Sequence, residues 1–396
     1  MKFLEGGLEN VPGFKFSALE CGIRYADRLD YAIIVSDSLC NAAGVFTQNT
    51  LAAAPVRICR ERIMQPIKAV LVNATNANAC TGRQGYNTAR FLAGDMAEKL
   101  GGHESSVLMC STGIIGVQLP EDKMVAAHEK LISALSQKNG ELISKAIMTT
   151  DTVAKKCAAT FETSKGTFTI AGTAKGVGMI APNMATLLAF IITDAPIAPK
   201  RLRGTFEWAI DQTLNRVTID GDTSTNDSAI ILSPASDEVL EDETDIQSFS
   251  EALYAILSDL SEKLVRDGEG ATKLIRVHVK NARNDNEATL IARKISESVL
   301  VKTAFFGEDP NWGRIAMAIG NSGAEVREDS LSISFDDCTF FDHGHSKSIA
   351  PDKIKEVMSK KEITVTVDCG IENGEAMYLT SDLSYEYVKI NAEYST

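Results

Sequence analysis

The stretch Lys175-Gly-Val-Gly-Met-Ile-Ala-Pro-Asn-Met-Ala-Thr-Leu-Leu-Ala-Phe-Ile-Ile-Thr-Asp194 joins a glycine-rich turn to an unbroken apolar run. The run, residues 187–193, has no helical periodicity and is rich in bulky and β-branched side chains, which favours a buried strand. Thr186 would then stand at the start of a core strand, where a rigid element holds its hydroxyl in place. The stretch therefore predicts a fixed hydroxyl next to a bendable turn.

The chemistry of a threonine hydroxyl sets a condition on any catalytic role for Thr186. Its pKa lies far above neutrality, so it needs an adjacent base before it can act as a nucleophile. One solution is the threonine's own α-amino group, freed by cleavage of the preceding peptide bond. The small Ala185 precedes Thr186, and Gly176 and Gly178 make the backbone upstream flexible. Such a cleavage is sterically compatible with the sequence, but these residues alone do not show that it takes place.

The composition is that of an ordinary globular protein. The chain has 396 residues, of which 44% are hydrophobic and 23% charged, and at roughly 150 residues per domain it should form two or three structural units. The formal net charge of -13 argues against nucleic acid or an anionic membrane as a partner. A small charged substrate would then need locally placed cations.

The cysteines and the termini indicate a soluble, cytoplasmic protein. The 8 cysteines include no Cys-x-x-Cys pair, a scatter typical of reduced thiols in the cytosol. The N-terminus has no apolar core of signal-peptide length. The most apolar run, residues 187–192, is far too short to cross a bilayer. We therefore predict no membrane partner.

Short apolar, β-branched runs alternate with amphipathic segments along the chain. This mixture predicts an α/β or α+β protein with mixed sheets. The predicted strands are residues 31–36, 69–73, 106–110, 167–171, 274–280, 331–335, 363–368 and 377–380.

Three helices are predicted from apolar residues at helical spacing. One begins at Pro120, one ends at Gly268, and one is capped by Asp285 and carries its apolar face as far as Val299. The acidic passage 236–250 is interpreted as a solvated loop that leads into the second of these helices.

Two glycine-containing segments fit more than one role. Small residues follow the predicted strand 106–110 in Ser111-Thr-Gly-Ile-Ile-Gly116, and such residues can turn backbone N–H groups outward, as an oxyanion site requires. An ordinary strand-to-helix turn has the same composition, and the residues alone favour it because such turns are far more numerous. Similarly, Glu269 between two glycines at a helix end is by itself a C-cap.

Three further motifs do not satisfy the chemistry that they suggest. Gly176-x-Gly178-x-x-Ala181 resembles a dinucleotide-binding fingerprint, but the chain before Asp194 has no room for the required helix and second strand. Asp342-His343-Gly-His345 has no partnering Cys or His cluster, which favours a polar turn over a metal site. Residues 220–227 lack the glycine and glutamate of a calcium loop and predict a turn with backbone-capping side chains. We expect no cofactor and no metal.

Seven segments stand out together: Asn76-Ala-Asn-Ala-Cys-Thr-Gly82, Ser111-Thr-Gly-Ile-Ile-Gly116, Met148-Thr-Thr-Asp-Thr152, the stretch from Lys175 to Thr186, Asp220-Gly-Asp-Thr-Ser-Thr-Asn-Asp227, Gly307-Glu-Asp-Pro-Asn-Trp-Gly-Arg314 and Asn391-Ala-Glu-Tyr-Ser-Thr396. In this order they closely resemble the ornithine acetyltransferase / glutamate N-acetyltransferase family of arginine biosynthesis, the ArgJ type. The segments span nearly the whole chain, and the one that ends at Thr186 is highly specific.

The resemblance implies a self-cleaving enzyme. Cleavage between Ala185 and Thr186 would leave an α chain of residues 1–185 and a β chain of residues 186–396. The expected fold is a DmpA/ArgJ-like α/β (α+β) fold with mixed β-sheets layered between helices, and the expected assembly is an α₂β₂ heterotetramer. The implied reaction transfers the acetyl group of N-acetylornithine to glutamate through an acetyl-threonine intermediate.

The resemblance also assigns roles to individual residues. Thr186 is the expected nucleophile, and Thr112 and the backbone N–H of Gly113 are the expected oxyanion hole. The residues that match substrate-contacting positions of the family are Thr149, Lys175, Thr186, Glu269, Asn391 and Thr396.

The sequence leaves alternatives open. An aminopeptidase or amidase with the same self-cleaving threonine would use water as the acyl acceptor. A non-catalytic binding protein would keep Thr186 as a buried strand residue. No separate coenzyme A motif is readable, so acetyl-CoA stays open as a second acetyl donor.

Overall fold

The structure is a computed structural model that describes residues 1–181 and 187–393. Its strands are β1 Lys2–Leu4, β2 Phe14–Leu19, β3 Tyr31–Phe46, β4 Ile67–Asn73, β5 Val107–Ser111, β6 Lys155–Thr163, β7 Gly166–Lys175, β8 Leu188–Thr193, β9 Val217–Thr218, β10 Ser228–Pro234, β11 Leu274–Ala282, β12 Ser332–Phe335, β13 Cys338–Asp342, β14 His345–Ser346, β15 Glu362–Asp368 and β16 Gly374–Ser381. Its α-helices are α1 Ala54–Arg62, α2 Gly82–Lys99, α3 Glu121–Ser133, α4 Gly140–Ala146, α5 Pro199–Gln212, α6 Glu243–Arg266, α7 Asp285–Ser296, α8 Val299–Phe306, α9 Trp312–Gly320, α10 Pro351–Met358 and α11 Tyr385–Glu393.

The strand β8 lies in the middle of the larger sheet. Within the described ranges that sheet has the order β1-β6-β7-β8-β10-β3-β4-β5, with β2 also paired to β3. The strand β8 runs antiparallel to β7 and parallel to β10, and all of its residues are buried. This confirms the buried strand predicted after position 186. Its first residue, Leu188, pairs with Lys175 on one side and Ser228 on the other.

Helices cover both faces of the larger sheet. Neighbouring residues of a strand point to opposite faces, and in β8 Ile191 belongs to a core with Phe206 of α5 and Phe249 of α6. Its neighbour Phe190 belongs to a different core, shared with Ile143 of α4. The predicted architecture, mixed sheets layered between helices, is therefore confirmed.

The smaller sheet is built from the C-terminal part of the chain. Its order among the described residues is β14-β13-β12-β15-β11-β16-β9, with β11 parallel to β15 and antiparallel to β16. The alternation predicted for β15 is present, since Ile363, Val365 and Val367 are buried and the intervening residues are partly exposed. All eight predicted strands coincide with or overlap observed strands.

Two helix predictions need correction. Asn284, not Asp285, caps α7, because its side chain accepts the hydrogen bond of the Glu287 amide. The helix α7 ends at Ser296, and Val299 instead opens α8 with its side chain 59% exposed. A serine side-chain cap at position 298 separates the two helices.

The acidic passage is only partly a loop. The helix α6 begins at Glu243, and Asp242 caps it by accepting a hydrogen bond from the Thr244 amide at 2.9 Å. Acidic side chains in a first helical turn are stabilised by the helix dipole, so part of the run helps to start α6. None of the helices in the described ranges is long and apolar enough to span a membrane.

Lys302 of α8 is a buried lysine in the smaller sheet's core. Its side chain is 3% exposed, and its Nζ donates to Thr380 Oγ1 at 2.8 Å and to the carbonyl of Ser381. Burial lowers the pKa of Lys302 to about 7, against the opposing pull of Asp382 and Asp220. The lysine therefore favours its neutral form in the fold far more than it does in an unfolded chain.

This burial should make the stability depend on pH. Between about pH 7 and pH 10.5 the unfolded chain binds one more proton at Lys302 than the folded chain, so the free energy of unfolding rises with pH. The free energy of unfolding of the wild-type protein, measured relative to that of Lys302→Met, should rise by up to about 1.4 kcal/mol per pH unit in this window. Thermal and urea unfolding of both proteins across the window would measure the difference, and parallel profiles would contradict it.

Candidate active site

One cavity brings together the predicted site residues that the structure describes. They are Thr112, Gly113, Thr149, Lys175, Glu269 and Asn391. They come from distant parts of the chain, and the cavity also has Thr150, Val177, Gly178 and Met179 in its lining. The predicted residues Ala185, Thr186 and Thr396 lie outside the described residues.

Lys175 provides a buried cation at this cavity. It is the last residue of β7, it is 2% exposed, and its Nζ donates to Thr112 Oγ1 at 3.1 Å. Burial lowers its pKa, while the negative charge of Asp151 opposes that shift. Because the Thr112 hydroxyl accepts from Lys175, its own hydrogen stays available to a ligand.

Asp151 is the carboxylate that balances this charge, and sequence reasoning missed it. Its Oδ1 accepts from Lys155 Nζ at 2.7 Å and from the Gly176 amide at 2.9 Å, and its Oδ2 accepts from the Thr149 amide at 3.0 Å. Burial by itself would raise the pKa of Asp151, but Lys175 and Lys155 lower it to about 2. A permanently charged carboxylate thus ties the residue 149 loop to the glycine turn.

Lys155 extends this ion-pair network to the end of α6. Its Nζ also lies 2.5 Å from Asp267 Oδ2, and Asp267 accepts from the amide of Thr152. Lys155 and Asp267 are both almost fully buried. The only sequence signals were the position of Asp151 in the segment 148–152 and of Asp267 next to Gly268, and neither shows an ion pair.

Glu269 forms the anionic part of the cavity. Its Oε1 accepts from Thr150 Oγ1 and its Oε2 from Asn391 Nδ2, both at 2.9 Å. A Cβ on Gly178 would lie 2.5 Å from Glu269 Oε2, so a side chain there would push the Glu269 carboxylate away from the turn. The C-cap interpretation of this segment holds as well, since α6 ends at Arg266, but Glu269 lines the cavity beyond that end.

The segment after β5 is not the ordinary strand-to-helix turn that the residues alone favoured. The next helix, α3, begins only at Glu121. Between them the chain runs beside residues 75–79, through hydrogen bonds from Ile114 N to Thr75 O and from Ala77 N to Ile114 O. The neighbouring loop is strained, because the non-glycine residues Thr75, Asn78 and Cys80 all have positive φ.

Gly113 shows why this segment needs a glycine. Its φ is +136°, and a Cβ there would lie 2.1 Å from the carbonyl carbon of Thr75. Within the described residues its backbone N–H makes no hydrogen bond. A free N–H next to the Thr112 hydroxyl is a pair of donors suited to a developing negative charge.

Gly178 of the motif at residues 176–181 lines the cavity, whereas residues 342–345 are not among its lining residues. Residues 342–345 form the tight hairpin turn between β13 and β14, with His343 Nδ1 2.7 Å from Asp342 Oδ1. This confirms the polar turn. No helix begins at residues 176–181. A dinucleotide-binding site would require one there. Across residues 1–181 and 187–393 no three His, Cys, Asp or Glu side chains are grouped as metal ligands.

Comparison with known proteins gives sequence matches over almost the full chain. A sequence model described as the ArgJ family matches residues 15–396. The arginine biosynthesis bifunctional protein ArgJ of Geobacter sulfurreducens is 46% identical over 392 residues, 98% of this chain and 100% of that protein. The protein of the same name from Desulfotalea psychrophila is 43% identical over 393 residues, 97% of this chain and 99% of its own length. A crystal structure of ArgJ from Bacillus halodurans is 39% identical, with a TM-score of 0.49, and covers 52% of this chain and 98% of its own.

The geometry of Gly113 predicts a selective loss of activity. In Gly113→Ala the new methyl group must displace the Thr75 backbone and turn the free N–H away, so kcat should fall by about 100-fold or more. The matched control is Gly116→Ala, because Gly116 also has a positive φ but open space around its Cβ position. That variant should lose only about 1–2 kcal/mol of stability. Steady-state kinetics and melting temperatures measure both, and equal activity of the two variants would contradict the assignment.

Proposed function

The chain belongs to the ArgJ family, and from this premise we propose that it transfers the acetyl group of N-acetylornithine to glutamate in arginine biosynthesis. The observation that carries the proposal is the cavity that combines a buried cation, Lys175, a carboxylate, Glu269, and the donors of Thr112 and Gly113. Amino acids carry a carboxylate and an ammonium group, and the two charged side chains match these groups in sign.

The substrate contacts follow from this match. In the proposal Lys175 binds the α-carboxylate of the substrate, which is the local cation that a protein of net charge -13 needs. Glu269 pairs with a substrate ammonium group. Thr149, Asn391 and Thr396 add hydrogen bonds, and Asn391 already bonds to Glu269 from the helix α11.

Self-cleavage prepares the nucleophile. The Thr186 hydroxyl attacks the carbonyl carbon of Ala185, the C–N bond between the two residues breaks, and an ester forms with a free α-amine on Thr186. Water then hydrolyses the ester, which gives a carboxylate on Ala185 and restores the hydroxyl. The products are the α chain 1–185 and the β chain 186–396. An α-amino group has an ordinary pKa of about 8, so part of it is a neutral base at pH 7.

The transfer reaction then takes two steps. The Thr186 amine accepts the hydroxyl proton as the oxygen attacks the acetyl carbonyl, and the oxyanion is held by Thr112 and the Gly113 N–H. Collapse expels ornithine, which takes up that proton. The amine of glutamate attacks the acetyl-Thr186 ester, and the threonine oxygen leaves and is reprotonated. The kinetics should be ping-pong, and the enzyme needs no metal and no cofactor.

The assembly and a second donor belong to the same proposal. We propose a cytoplasmic α₂β₂ heterotetramer made from two cleaved precursors. The related proteins from Geobacter sulfurreducens and Desulfotalea psychrophila are named bifunctional, which supports acetyl-CoA as an additional acetyl donor. An aminopeptidase or amidase differs by passing the acyl group to water, and free acetate without acetylglutamate would be its product.

Both the cleavage and the acetyl transfer should depend on Thr186. Purified wild-type protein should give two polypeptides under denaturing conditions. N-terminal sequencing should show that one of them starts Thr-Leu-Leu-Ala-Phe. Thr186→Ala removes the attacking oxygen, so it should give one polypeptide near 42.7 kDa and no acetyl transfer. Intact mass and N-terminal sequencing measure the cleavage.

Thr186→Ser is the matched control, because serine keeps a hydroxyl at the same position and should retain part of the cleavage. A wild-type chain that stays intact while it is active would refute the proposal. So would cleavage that survives in Thr186→Ala.

Acetyl-CoA should serve as an acetyl donor in place of acetylornithine. With acetyl-CoA and glutamate as the only substrates, the cleaved enzyme should form acetylglutamate and free coenzyme A. The activity should disappear in Gly113→Ala along with the transfer from acetylornithine, because both donors pass through the same oxyanion. Chromatographic detection of acetylglutamate measures it, and transfer from acetylornithine alone would restrict the enzyme to one donor.

A further inference from the structure

The polar turn at residues 218–228 contacts the chain on both sides of the proposed cleavage junction. We propose that this turn, the junction clamp, positions the two ends of the cleavage segment separately, with Asp220 holding the upstream end and Asp227 the downstream end. The inference rests on the self-cleavage proposed above. It assigns positioning roles to two carboxyl groups to which the family resemblance gives no role and which are not among the residues that line the cavity.

The upstream contacts converge on Met179 and Ile180. Asp220 accepts hydrogen bonds from both amides, through Oδ2 at 2.6 Å and Oδ1 at 2.9 Å. The carbonyl of Ile180 in turn accepts from the amide of Ile219 at 2.8 Å and from Thr218 Oγ1 at 3.1 Å. Met179 has a φ of +57°, a conformation that needs such external support in a non-glycine residue.

The downstream contacts converge on Leu187. Asp227 Oδ1 accepts from the Leu187 amide at 2.9 Å, and the carbonyl of Leu187 accepts from the Ser228 amide at 3.1 Å. The Asp227 side chain is fully buried, and its Oδ2 has no hydrogen-bond partner among the described residues. The Leu187 nitrogen is bonded directly to the carbonyl carbon of residue 186 in a planar peptide, so fixing this amide restricts the position of residue 186.

The two ends of the clamp are anchored to different sheets. Thr218 belongs to β9 and pairs with Thr380 in the smaller sheet, whereas Ser228 opens β10 and pairs with Leu188 in the larger sheet. Asp220 Oδ2 also accepts from Tyr387 of α11 at 3.2 Å, the helix that carries Asn391 to the cavity. The upstream end therefore supports the substrate-binding wall, and the downstream end supports the residue that bears the nucleophile.

This division predicts different defects for the two carboxyl groups. Loss of Asp227 should slow cleavage and also lower kcat of the cleaved enzyme, because residue 186 serves in both reactions. Loss of Asp220 should slow cleavage and raise KM, with kcat nearly unchanged, because after cleavage it supports only the wall near Glu269. Burial raises the pKa of Asp227 well above its usual range, so a neutral amide is its conservative replacement.

The test compares Asp227→Ala, Asp227→Asn and Asp220→Ala with Asp222→Asn as the matched control. Asp222 is exposed in the same turn and contributes its backbone amide, not its side chain, to the hydrogen bonds. Each precursor is synthesised in a cell-free system, its cleavage is followed on denaturing gels, and kcat and KM are measured on the cleaved fraction. Melting temperatures report on folding.

We expect Asp227→Ala to lose about tenfold or more in cleavage rate and in kcat, since one misplaced reacting group readily costs that much. Asp227→Asn should recover most of both rates, because its side-chain oxygen still accepts from Leu187. Asp220→Ala should raise KM by about tenfold, with kcat within about twofold, and Asp222→Asn should behave as wild type.

Three outcomes would overturn the clamp. They are wild-type cleavage and kcat in Asp227→Ala, an equal loss in Asp227→Asn and Asp227→Ala, and a KM in Asp220→Ala that matches wild type. The first two would show that the hydrogen bond to Leu187 does not position residue 186. If the wild-type precursor itself stays intact, the proposed self-cleavage fails instead, so the two failures are distinguishable.

Discussion

A lysine ammonium buried at the end of a central strand is the constraint on which the site depends. Removing such a charge from water costs several kcal/mol unless an opposite charge compensates it. For Lys175 the compensating charge comes from Asp151, which is itself buried and charged. The two carboxylate oxygens of Asp151 also accept hydrogen bonds from Lys155, from the Gly176 amide and from the Thr149 amide. The carboxylate that balances the charge of Lys175 therefore also fixes the backbone at Gly176, the first residue after β7.

The glycine turn that follows Lys175 forms part of the cavity wall, through residues 177–179. After Gly176 the chain passes so close to Glu269 that a side chain on Gly178 would have to displace the Glu269 carboxylate. It then meets the junction clamp at Ile180, and the clamp holds the chain again at Leu187, directly before β8. Loops provide the reactive groups, and the central strands β7, β8 and β10 hold the ends of those loops in fixed register. Rigid strands with polar loops at their ends are a suitable arrangement for placing one hydroxyl and several donors.

Some details of the fold followed from local chemistry and others did not. The strands were readable because a buried strand needs an apolar run and a half-buried one needs alternation, as in β15. The cap of α7 was misread because Asn284 and Asp285 both carry a suitable side-chain oxygen. Only the backbone decides between them, and Asn284 is the residue with extended φ and ψ. The boundary before Val299 was missed for a similar reason, since its apolar spacing continues across a cap at Ser298.

The family resemblance, not residue spacing, named six of the residues that line the cavity, and the sequence by itself determined the secondary structure of the central strands and the layered α/β class. Those properties depend on residue type and on spacing within short segments, which a sequence states directly. Only the tertiary structure decided that Asp151 balances the charge of Lys175, that the Gly113 amide donates to no residue in the described ranges, and that Asp220 and Asp227 bind opposite ends of one segment. Each of these is a contact between residues remote in the chain, and its energy depends on burial and distance, which exist only once the sheets have assembled.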